Sequence, residues 1–80
     1  MRVEFSNRLG DRRFIADVTN LREANVAIHA YLQDYGYTAP YWRYCMEGNE
    51  LMIDVGSHTE FFYISVPTDF DLTAALHDCN

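Results

Sequence analysis

The chain has 80 residues and a net charge of −6, and 49% of it is hydrophobic and 15% aromatic. That describes one domain near the lower size limit for unaided folding and too apolar for a disordered segment. No run approaches the ~20 apolar residues of a membrane helix and no basic-then-apolar leader begins it, so a cytoplasmic protein is expected. The charge is uneven: Arg2, Arg8, Arg12 and Arg13 against Glu4 and Asp11 make residues 1–13 +2, while ten acids against Arg22 and Arg43 make the rest −8, with no lysine anywhere. Such a body repels phosphate backbones and disfavours direct nucleic-acid binding, which needs clustered cations.

Met1 to Ser6 alternates, with Val3 and Phe5 against Arg2, Glu4 and Ser6, as a half-buried strand does. Asn7 to Asp11 has hairpin-loop composition. A second strand is expected over about Arg12 to Val18, with Phe14, Ala16 and Val18 inward and Arg13, Ile15 and Asp17 outward. Leu21, Ala24, Ile28, Tyr31 and Tyr35 then recur every three or four residues, flanked by Ala27 and Leu32, and predict one long amphipathic helix over Leu21 to Tyr35. Asn20 is placed to cap it, Glu23 to reach back over its first turn, and Gly36 to end it. Arg22, Glu23, Val26, His29, Ala30, Gln33 and Asp34 form its wet side.

After a short return through Tyr37 to Pro40, two turns can be tested against one hydrophobic pattern. A two-residue turn at Gly48-Asn49 sets Glu47 against Glu50, Met46 against Leu51, Tyr44 against Ile53, Arg43 against Asp54 and Trp42 against Val55. A loop over Ser57 to Glu60 sets Val55 against Phe62, Ile53 against Ile64 and Leu51 against Val66. These pairings put Trp42, Tyr44, Met46, Leu51, Ile53, Val55, Phe62, Ile64 and Val66 on one inner face. Pro67 ends the last strand, and Thr68 with Asp71 resembles a capping pair opening a short terminal helix with Phe70, Leu72, Ala75 and Leu76. The order ββαβββα is that of a single α+β domain over residues 1–80, an antiparallel sheet packed on one long helix.

The same register sends Tyr41, Arg43, Cys45, Met52, Asp54, Phe61, Tyr63 and Ser65 to the opposite face. Open antiparallel sheets usually alternate apolar-in and polar-out, and this outer set is rich in aromatics instead. Tyr, Phe, Met and Arg are the types enriched at protein interfaces. Arg43 and Asp54 make a cross-strand ion pair without functional content being required. Base stacking on such a face normally comes with a cationic track, which the acidic body lacks.

Other chemistry-bearing residues give weaker patterns. Ser57, His58 and Glu60 share a short loop, where a nucleophile, base and acid rarely point at one another, and nothing nearby resembles a nucleophile elbow. His58 and Glu60 could join Asp54 or His77 at a metal, but no Cys/His spacing supports it, and no phosphate-binding glycine loop is present. No metal or cofactor is therefore expected. Cys45 and Cys79 stand outside any CxxC pair and read as reduced thiols, the alternative being a disulfide from the third strand to the C-terminus.

The stretch YWRYCMEGNELMIDVGSHTEFFYI, Tyr41 to Ile64, resembles small proteins carried by phages and mobile elements of Gram-positive bacteria. In size, acidity and compact α+β build the whole chain is also similar to the anti-CRISPR class, small non-catalytic proteins that bind a Cas effector and block nucleic-acid loading or conformational change. That class shares no sequence signature, so the resemblance assigns no residues. It implies a non-enzymatic protein-binding module. Its acids, Asp34, Glu47, Glu50, Glu60, Asp69, Asp71 and Asp78, would meet a basic channel on a nuclease much as a DNA mimic does. Tyr41, Arg43, Met52, Asp54, Phe61 and Tyr63 would supply anchors or a homodimer seam. The alternatives are an accessory protein that oligomerises through the sheet face, or a minimal hydrolase or metal enzyme around His58.

Overall fold

The computed structural model describes residues 1–57 and 59–79. Its elements run β1 (Arg2–Ser6), β2 (Arg12–Asp17), α1 (Leu21–Asp34), β3 (Arg43–Glu47), β4 (Glu50–Asp54), β5 (Phe61–Ser65) and α2 (Leu72–Asp78). The expected ββαβββα order is met. All strand pairs are antiparallel, in the spatial order β2-β1-β5-β4-β3. The N-terminal hairpin and the C-terminal meander are joined where Val3 faces Ile64 and Phe5 faces Phe62. That contact closes the sheet across most of the chain length.

The inner face buries Val3, Phe5, Leu51, Ile53, Phe62 and Ile64 against Leu21, Ala24, Ile28 and Leu32 of α1. The helix forms where its ends are satisfied as well as where its stripe is apolar. The Asn20 side chain accepts from the Glu23 amide at 2.8 Å, and Glu23 reaches back to the Thr19 amide at 2.8 Å and hydroxyl at 2.9 Å. At the other end Tyr37 N–H bonds Leu32 C=O and Gly36 N–H bonds Gln33 C=O, the Schellman arrangement, with Gly36 at φ 70°. The helix accordingly stops at Asp34, one residue short of expectation, and Tyr35 swings into solvent while Leu32 takes a central core position.

The helical layer holds a second member. α2 is capped by Asp71 itself, whose side chain accepts from the Ala74 amide at 3.2 Å, while Thr68 lies in the preceding turn. Its Leu72, Ala75 and Leu76 pack against the core beside α1. Asn25 on α1 donates to Cys79 Sγ at 3.8 Å and accepts from the Tyr44 hydroxyl at 3.3 Å. Cys79 thus lies on the helix side and Cys45 on the other, both as free thiols, and the expected alternative of a disulfide is not formed.

Three expected details are corrected. The β3–β4 pairs follow expectation from Arg43–Asp54 to Glu47–Glu50, but β4–β5 is displaced by two residues, with Ile53 facing Phe62 and Leu51 facing Ile64. The connection from Val55 to Glu60 is longer than the expected loop, because Asp54 Oδ1 accepts from the Gly56 amide and turns the chain early. An even shift leaves every side chain on its expected face. In β2 a bulge opposite Val3 and Glu4 absorbs Ile15, so Phe14 faces outward at 53% exposure instead of inward. Met46, expected in the core, is 40% exposed, lying on β3 at the edge of the sheet.

Candidate functional site

Both helices pack on the core side, so among the described residues no element covers the outer face of the sheet. Strand alternation places Phe14 on β2, Glu4 on β1, Phe61 and Tyr63 on β5, Glu50, Met52 and Asp54 on β4, and Arg43 and Cys45 on β3. Tyr41, just before β3, is 42% exposed, and Met52, Phe61 and Tyr63 are half-buried. Of the expected set, Tyr41, Arg43, Met52, Phe61 and Tyr63 are brought onto one surface, while Asp54 is buried beside Arg43.

Arginines laid over rings organise that surface. The Arg12 side chain crosses from β2 to β4. Its Nη1 is 2.5 Å from Glu50 Oε2 and 3.4 Å from Glu4 Oε1, and its Nη2 is 3.1 Å from Glu50 Oε1. Its guanidinium carbon stands 3.8 Å from the Tyr63 ring centre, within cation–π range. The forked bond to Glu50 is the main cause holding the Arg12 pKa above its ordinary value, against a smaller opposing effect of burial. Arg2 lies 5.2 Å from the Phe14 ring centre and 3.3 Å from Glu4 Oε2. Arg43 lies 5.1 Å from the Tyr41 ring centre and donates to Asp54 Oδ2 at 2.8 Å, the cross-strand pair read from the sequence. Asp54 is itself buried, at the foot of a cleft with Tyr44, Cys45 and Met52.

Three of the expected acids, Glu47, Glu50 and Glu60, part company. Glu47 is exposed at the β3–β4 hairpin, whereas Glu50 opposite it is held by Arg12. Glu60 lies at the far end of the meander and accepts from the Ser57 hydroxyl at 3.3 Å. It also sits beside Tyr37, whose pKa is raised first by burial and then by the Glu60 charge. Tyr37 belongs to the helix-side ring cluster with Phe5 and Tyr31, so Glu60 stands apart from the outer face. Ser57 accepts from the Thr59 and Glu60 amides, which is turn chemistry. His58, on which the hydrolase and metal readings turned, lies outside the described residues. Among the described residues no group of three or more His, Cys, Asp or Glu could hold a metal ion, and no helix is long and apolar enough to cross a membrane.

Arg12, Glu4 and Phe14 join the site from the N-terminal hairpin, which no short turn ties to the register of the meander. The sole hint was the cationic surplus of residues 1–13, and reaching Tyr63 required the non-local β1–β5 pairing. Arg12→Ala is expected to lower the unfolding free energy by about 1–2 kcal/mol through loss of the ring contact and both carboxylate pairings. Because the pairings are partly exposed, urea titrations should show the loss shrinking as salt rises.

The fold and this face define a small two-layer α+β domain with helices on one side of an antiparallel sheet and an aromatic, arginine-latticed surface on the other. The chain matches no model of a known family, no curated protein and no solved structure.

Proposed function

We propose that the protein is a non-enzymatic binding module, a phage-encoded anti-defence inhibitor of the anti-CRISPR kind, acting in the bacterial host cytoplasm. Its target is a basic, nucleic-acid-binding effector protein, and it acts by occupying a surface, without catalysis or a cofactor. The single observation that carries this reading is the open outer face. Met52, Phe61 and Tyr63 lie there with Tyr41 beside Arg43, and among the described residues no helix or strand covers them. Half-buried aromatics on a rigid sheet lose little conformational entropy on binding and are the usual energetic anchors of interfaces.

Electrostatics supports the choice of a basic partner. The arginines of the face are engaged by the chain's own carboxylates, while Asp34, Glu47, Asp69 and Asp78 carry no ion pair among the described residues. A net charge of −6 on so small a body accelerates encounter with a cationic channel and makes it salt-sensitive. Immobilised protein is expected to retain a basic nucleic-acid-binding effector from host lysate at low salt and to release it as salt rises. Retention of no such protein at low salt would contradict the reading.

A further inference from the structure

β3 ends one side of the sheet with a bare flank. The Asn49 carbonyl accepts from the Val66 amide at 3.0 Å, which sets the alternation along β4: Leu51 and Ile53 turn their backbone groups to β5, and Glu50, Met52 and Asp54 turn theirs to β3. Glu47, Cys45 and Arg43 consequently spend theirs on β4, and the N–H and C=O groups of Tyr44 and Met46 point off the sheet. Among the described residues only β4 packs closely along β3. The strand has no proline and no break in register, while the opposite edge, β2, carries a bulge and has α1 beside it. An edge left in this state is a template for another strand.

The strand sequence Arg43-Tyr44-Cys45-Met46-Glu47 is complementary to itself when run antiparallel about its centre. We propose that two copies of the chain join their β3 edges about a two-fold axis at Cys45, making one continuous sheet. Arg43 then faces the partner's Glu47 and Glu47 the partner's Arg43, while Tyr44 faces the partner's Met46. Centring on Tyr44 would set Arg43 against Cys45, and centring on Met46 would set Glu47 against Cys45, so only the Cys45 axis pairs the charges. The hydrogen-bond phase agrees. Tyr44 and the partner's Met46 exchange their outward N–H and C=O groups, and the two Cys45 residues form a non-hydrogen-bonded pair, whose Cα atoms lie about 4.5 Å apart. Met46, exposed on the helix side in the single chain, gains the partner's Tyr44 ring as a packing surface. Arg43 keeps its bond to Asp54, since a guanidinium has five donors.

Sedimentation of the full chain should show the mass rising toward twice 9.3 kDa as concentration increases. Met46→Pro removes an outward N–H without touching the β4 ladder and should stay at 9.3 kDa with an unchanged circular dichroism spectrum. Glu47→Arg, which sets like charges face to face, should weaken the dimer at least tenfold and decides the matter if the proline variant misfolds. Cross-linking with diamide, which takes up the two electrons and two protons released by a pair of thiols, should give a disulfide dimer with wild type and Cys79→Ser but none with Cys45→Ser. Phe61→Asp with Tyr63→Asp should leave the dimer intact, which separates this edge from the outer face. A wild type monomeric at every concentration overturns the proposal, as does a dimer indifferent to Met46→Pro and Glu47→Arg, one lost with the outer-face pair, or cross-linking that requires Cys79.

Discussion

Phe62→Ala is expected to remove about 3–5 kcal/mol of unfolding free energy, the largest stability effect anticipated for a single substitution in this chain. Phe62 is 1% exposed and ties three elements together, its ring centre lying 5.3 Å from that of Phe5 on β1 and 5.7 Å from that of Tyr31 on α1. An 80-residue domain has roughly 4–12 kcal/mol in total at 0.05–0.15 kcal/mol per residue, so the variant should lose a quarter or more of its stability and unfold at a clearly lower urea concentration. Phe61→Ala, one position away, should cost about 1 kcal/mol or less, because that ring faces the open side and leaves no closed cavity. Urea denaturation of the two variants side by side reads strand register directly. Equal losses would mean that the faces of β5 are misassigned.

Much of this arrangement was legible in local pattern. The helix announced itself through Leu21, Ala24 and Ile28 together with Asn20, Glu23 and Gly36 at its ends, because capping and period are short-range properties. The β3–β4 hairpin was legible for a similar reason: Gly48 with a positive φ fixes the turn, and the turn fixes the register. The β4–β5 pairing was read two residues out because a loop longer than two residues leaves register to hydrophobic matching, and matching is blind to even shifts. Phe14 was misplaced because a bulge at Ile15 changes the period of β2 without any glycine to mark it. Of the outer face, the half contributed by the meander followed from alternation, but the Arg12 lattice over Tyr63 depended on which strand sits beside β5, a long-range choice that neither spacing nor composition encodes.

The second large effect concerns binding. Phe61→Asp with Tyr63→Asp is expected to weaken capture of the effector by at least 100-fold, since each truncated anchor at the centre of an interface is worth about 2 kcal/mol or more and each new carboxylate would need a partner once desolvated. The fold should survive, because both side chains lie outside the core and the aspartate at position 63 falls within reach of Arg12. Val26→Asp, at a site 65% exposed on the helix side, supplies the matched control of equal chemistry on the wrong face. The decisive measurement is the dissociation constant for a basic nucleic-acid-binding effector, determined at low salt for wild type, the outer-face pair and Val26→Asp, with circular dichroism confirming that all three are folded. Binding lost with the outer-face pair and kept by Val26→Asp is the predicted result; binding kept by the outer-face pair would contradict it.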